Sequence, residues 1–220
     1  MNASQGPGDY DAEEYESFAL NDSDERDERV EDADDLDDFD DDYDDDDDDY
    51  DDEDDDDLDD AEDEDIDLVV AAYTEEGQRT AIGLTPPVAN DLDELVRQLR
   101  RLPGDAGAVG FVSLAGDMFV IARVRGPRVQ VLLSDGSMAG EWPLARDVAD
   151  HLDLDELPGE DDFDPIGDLA ILEDSGVSEI AMAQYCDDDD SSTDETVLQI
   201  AEQLGLADNF ETIIAEQNRH

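Results

Sequence analysis

Residue types able to do chemistry are few in this 220-residue chain, and their spacing does not favour it. Histidine occurs twice, at His151 and His220, cysteine once, at Cys186, and lysine never. His220 is the last residue, so a general base or nucleophile relay built on imidazole would rest on His151 alone. His151 falls late in a helix expected from Pro143, where an imidazole meets the last carbonyls and the negative end of the helix dipole. Cys186 stands beside Asp187 and Asp188, whose charge disfavours the reactive thiolate, and no spacing argument joins it to His151. One cysteine excludes both an intramolecular disulfide and a cysteine-based metal cluster, as suits a reducing cytoplasm. Neither GxxxxGK[ST] nor GxGxxG is present, which argues against P-loop and Rossmann nucleotide sites.

Carboxylates dominate instead. The chain has 71 Asp and Glu against 11 arginines, for a formal net charge of -60. Acid pairs are so frequent that none singles itself out as a glycosidase-type acid and base. The runs at 153–164 and 187–190 are dense in oxygen ligands and better suited to divalent cations. An EF-hand register begun at Asp153 nevertheless meets Pro158 where glycine is required. Diffuse cation association is expected, with no ordered metal site and no cofactor. So negative a chain offers too few cations to bind nucleic acid through phosphate neutralisation, and it should avoid anionic membranes. Its expected partners are basic proteins or cations. A signal peptide and an apolar run long enough to span a membrane are both missing from the sequence, so a cytoplasmic location is expected.

The elements that would position these groups begin late. Residues 1–65 hold 38 of the 71 acids, including the six aspartates Asp44 to Asp49, against Arg26 and Arg29. Self-repulsion and sparse apolar residues predict a disordered acidic tail, although Leu36, Phe39, Tyr43, Tyr50 and Leu58 punctuate it as in interaction tails. Residues 66–217 read as one compact α+β domain, with a helical subdomain from about residue 142 as the minority alternative. Leu68 to Tyr73 and Arg79 to Leu84 predict a hairpin. Asn90 and Asp91 supply a cap for a helix carrying Leu92, Leu95, Val96 and Leu99. Ala108 to Leu114, Met118 to Val124 and Arg128 to Leu133 complete an antiparallel sheet of about five strands with one inserted helix. The alternation in the last strand suggests one side nearer solvent. A cluster of short C-terminal helices follows, expected from Pro143, Pro165, Ser178 and Thr193 and around Phe210.

Arginine and tryptophan are favoured at binding hot spots. The candidate partner surface on the domain is therefore Arg97, Arg100 and Arg101 together with Trp142 and Arg146.

Several stretches of the second half are similar to a known family. They are Val131 to Asp135, Trp142 to Val148, Ile166 to Ala170, Gly176 to Met182 and Glu195 to Gly205. Over roughly residues 66–215 the chain resembles the actinobacterial tRNA adenosine deaminase-associated proteins, with the acidic tail outside the resemblance. The resemblance implies a link to a tRNA adenosine deaminase and supplies no catalytic residue. The chain is not expected to be the deaminase itself. Zinc deaminases need H-x-E and P-C-x-x-C, whereas Leu152 and Asp153 follow His151 and there is a single cysteine. The expected function is a non-enzymatic accessory or regulatory protein acting through a protein–protein contact. A metal- or small-ligand-binding regulatory domain using the acidic loops is the alternative.

Overall fold

The computed structural model describes residues 58–104, 107–159, 161–188 and 190–217. The predicted disorder of the tail falls largely on residues outside these. Residues 58–65, which composition assigns to the tail, already belong to the ordered chain. Ala61 is buried, its N–H donates to Asn90 Oδ1 at 2.8 Å, and Asn90 Nδ2 donates back to the Ala61 carbonyl at 3.1 Å. Asn90 therefore anchors the entering chain, while Asp91 alone caps the helix that follows, accepting from the Glu94 N–H.

Six antiparallel strands form one sheet. They are β1 (Ile66–Glu75), β2 (Gln78–Gly83), β3 (Ala108–Leu114), β4 (Met118–Arg125), β5 (Arg128–Leu133) and β6 (Ile166–Gly167). Their order is β2-β1-β3-β4-β5-β6. The inserted helix, α1 (Leu92–Leu99), connects β2 to β3, and α2 (Pro143–His151), α3 (Glu179–Cys186), α4 (Thr193–Gln203) and α5 (Ala207–Gln217) follow the five long strands.

Successive strand residues point to opposite faces, and both faces are covered. On one, Val69, Ala71, Val112, Val120 and Leu133 pack with Leu95 and Leu99 of α1 and Leu144 and Val148 of α2. On the other, Leu68, Val70, Phe111, Ile121 and Leu132 pack with Met182, Val197, Ile200 and Phe210 of the last three helices. The Phe111 and Phe210 rings meet edge to face, 5.3 Å apart, a favourable aromatic geometry. Burial on both sides explains why β1 reads as an unbroken apolar run rather than an alternation. The helices after residue 142 are thus divided between the two faces of one sheet.

Three expectations are corrected. β5 does not keep one side toward solvent: Val131, Leu132 and Leu133 are all buried, and only its first half, at Arg128, is exposed. The helix expected from Pro165 is instead β6, a turn and a short 3-10 segment at Glu173–Ser175. Gly167 has φ +110°, and a Cβ there would lie 2.3 Å from the Val131 carbonyl oxygen, so the chain is pressed against β5 at a point where a helix cannot start. Thr193 begins α4 but does not cap it. Ser192 holds the capping position, and the Thr193 hydroxyl turns to Ser113 instead.

Candidate functional site

The two acidic runs that the sequence keeps 23 residues apart meet in space. Asp161, Asp162 and Asp164 from the first, and Asp187 and Asp188 from the second, line one cleft of about 660 Å³. Asp117 from the β3–β4 turn and Asp135 from the end of β5 complete a set of seven aspartates. Phe163, 62% exposed, and Tyr185 bring aromatic rings to the same lining. Among the described residues the lining contains no arginine and no histidine.

A hydrogen-bonded chain behind the cleft sets its shape. Asp67, near the start of β1, accepts from the Gly116 N–H at 2.7 Å and from Ser113 Oγ at 3.1 Å. Ser113 Oγ lies 2.7 Å from Thr193 Oγ1, and the Thr193 N–H donates to the Gly116 carbonyl at 3.3 Å. The β3–β4 turn is thereby tied to β1 and to the start of α4. Burial pushes the Asp67 carboxyl above its ordinary range, against the two hydrogen bonds, and the charges of Asp194 and Asp117 push the same way. Elsewhere on the wall, Ser134 Oγ accepts from the buried Phe119 N–H, and Asp135 caps the 3-10 turn at Gly136–Gly140 by accepting from the Ser137 N–H.

The chemistry open to this cleft is narrow. Burial first, and then Asp187, push the Cys186 thiol up to about 12, so it is protonated at neutral pH and a poor nucleophile. Among the described residues no group of three or more His, Cys, Asp or Glu is arranged to hold a metal ion. Low-dielectric walls of a single charge sign concentrate the potential between them. The guest they favour is a cation, and two nearby rings favour one with a delocalised or apolar-flanked charge.

The five residues singled out as a partner surface lie elsewhere, and none of them lines the cleft. Arg97 is ion-paired with Glu94 one turn earlier on α1, while Arg100 and Arg101 are exposed at its end. Trp142 is half-buried against the core beneath α1 and α2, and its carbonyl accepts from the N–H of the half-buried Arg146. His151 is exposed at the end of α2.

Sequence reasoning missed a buried cation. Arg123 of β4 is 7% exposed and forks onto Asp174 with bonds of 2.7 and 3.1 Å, while also donating to the Ile171 carbonyl. Arg123, and then Arg125, hold the Asp174 carboxyl well below the usual carboxylate range. The pair bridges 51 residues, and nothing local in the sequence marks it.

Fold and cleft together define an α+β protein that offers a negatively charged recess beside a sheet covered on both faces. The chain belongs to the family described as Rv3753c-like tRNA adenosine deaminase-associated protein, which it matches over residues 67–207. It is similar to Protein Rv3753c of Mycobacterium tuberculosis (strain ATCC 25618 / H37Rv), at 31% identity over 153 residues, covering 68% of this chain and 88% of the relative. No solved structure matches the chain. Among the described residues no helix is long and apolar enough to cross a membrane.

Proposed function

We propose that this protein is a non-enzymatic accessory or regulatory subunit that works through a protein–protein contact with a tRNA adenosine deaminase. The family description, which names an association with that enzyme, supports the reading. The observation that carries the mode of contact is the lining of the cleft: seven aspartates and three aromatic residues, with no arginine or lysine among the described residues of the lining. A protein that handles tRNA must present basic side chains to phosphate, and an arginine- or lysine-bearing segment of that kind complements the recess. Arg97, Arg100, Arg101, Trp142 and Arg146 form a second candidate contact on the opposite helical layer. The cysteine of the lining, Cys186, is held as a protonated, poorly nucleophilic thiol, which supports a binding role for the cleft.

The test is affinity purification of the full chain from its native host in low and high salt, beside a variant carrying Asp117→Asn, Asp162→Asn, Asp164→Asn and Asp187→Asn. Salt-sensitive recovery of the deaminase with the parent, and its loss with the variant, supports the reading. Equal recovery with both proteins would place the contact outside the cleft, and no recovery with either would remove the deaminase as a partner.

A further inference from the structure

The sheet is closed unevenly at its β5 edge. β6 covers only the end of β5, pairing Gly167 with Leu132 and Ile166 with Leu133. Its last contact is the Asp168 N–H donating to the Val131 carbonyl at 2.9 Å. In an antiparallel strand alternate residues direct both backbone groups to the same neighbour. The Ser134 N–H bonds to β4 at Phe119, and the Val131 carbonyl bonds away from β4. Val129, two residues before Val131, therefore directs its N–H and C=O outward, beyond the reach of β6.

An apolar groove of about 470 Å³ runs along this uncovered length, with Val129, Val131, Leu152, Leu154 and Ile166 among its walls. Leu154 is 40% exposed. Uncovered edges are templates for another strand, and a groove that receives alternate side chains beside such an edge is how sheets take up extended peptides. The charges at the rim say which peptide. Asp168 is occupied, accepting from Gln130 Nε2 at 2.5 Å and from the Ala170 N–H at 3.0 Å. Arg128 is exposed and pairs with no carboxylate among the described residues, and the exposed His151 stands at the same groove. In a domain so rich in acid, this short edge carries an exposed guanidinium, with Asp168 the one carboxylate among the described residues of the groove. A second copy of the chain would bring a like guanidinium to it, which is unfavourable across paired strands.

We infer that the outer edge of β5 is a docking site for an extended segment of a partner protein, one that places an apolar side chain in the groove and a carboxylate against Arg128. This surface is separate from the acidic cleft and takes the opposite charge, so it stands or falls independently of the deaminase contact.

The test uses the isotope-labelled full chain at physiological salt and two capped synthetic peptides, one alternating glutamate with valine, the other lysine with valine. The glutamate peptide should shift the backbone amides of Val129, Gln130, Val131 and Leu154. Val129→Pro removes the outward N–H at an edge position where proline is tolerated, and it should abolish those shifts. Arg128→Gln should weaken binding about tenfold, and this variant decides the matter if the proline variant does not fold. The inference is overturned by shifts of the same amides with the lysine peptide, by no shifts with either peptide, or by shifts that persist undiminished in both variants. Concentration-dependent shifts of these amides without peptide would also overturn it, because the occupant would then be a second copy.

Discussion

Ser113, fully buried on β3, holds its hydroxyl 2.7 Å from that of Thr193, the first residue of α4. The same oxygen donates to Asp67, so it accepts from Thr193, and one buried atom joins three elements behind the acidic cleft. Ser113→Ala leaves a half-buried carboxylate and a hydroxyl each short of a partner, which should cost about 1–2 kcal/mol. Urea unfolding checks this. The double variant with Thr193→Val should lose less than the sum of the single losses, whereas strictly additive losses would mean that the contact does not form.

A second prediction concerns pH. Burial raises the carboxyl pKa of Asp67, and that of Asp147, which accepts from the Leu92 N–H at the start of α1. The folded chain then binds these protons at higher pH than the unfolded chain. Between the ordinary carboxylate value and the raised ones, stability therefore increases as pH falls and is lost as pH rises. Asp67→Asn and Asp147→Asn should each flatten that dependence in urea unfolding from neutral pH down to about pH 4. An unchanged slope in both variants contradicts the assignment. Asp174 has the opposite sign: its depressed value contributes stability that is lost at lower pH still, as the carboxylate protonates.

The sequence carried the sheet well and the site poorly, for a physical reason. β1 to β5, α1 and the Gly205-closed end of α4 are set by neighbours in sequence, through apolar periodicity, turn glycines and, at the starts of α1 and α3, the Asp91 and Ser178 caps. β6 is two residues long and owes its place to a close approach between Gly167 and the Val131 carbonyl, a contact that no local pattern signals. The cleft is likewise a property of the fold. The aspartates of both runs are visible in the sequence as isolated loops, but they share a cleft because the Gly136 N–H holds the Asp164 carbonyl at the end of β5 while Ser113 ties the start of α4, just after the second run, to the β3–β4 turn.

The third prediction tests that close approach. Gly167→Ala must move a carbonyl that a Cβ would reach at 2.3 Å and must also hold an L residue at φ +110°. A cost on the order of 2 kcal/mol is expected, with loss of hydrogen-exchange protection at the Asp168 amide. Gly140→Ala, where nothing lies within 4 Å of the added carbon, is the control and should be near neutral.

The buried Arg123 predicts an asymmetry. Among the described residues its Nε has no hydrogen-bond partner, whereas Asp174 is about half exposed and can be solvated alone. Asp174→Asn leaves a buried guanidinium without its counter-charge and should cost about 2–4 kcal/mol, whereas Arg123→Met removes the buried charge and should cost less. Thermal unfolding of both variants reads the order, and the reverse order would show that packing of the arginine stem outweighs its charge.

The most direct measurement is calorimetric titration of the purified tRNA adenosine deaminase from the same organism into the full chain and into the four-aspartate cleft variant. Saturable binding that weakens with salt, and that falls at least about tenfold in the variant, is the expected result. Binding of equal strength to both proteins, or no heat of binding to the parent at low salt, would contradict a deaminase contact made through the acidic cleft.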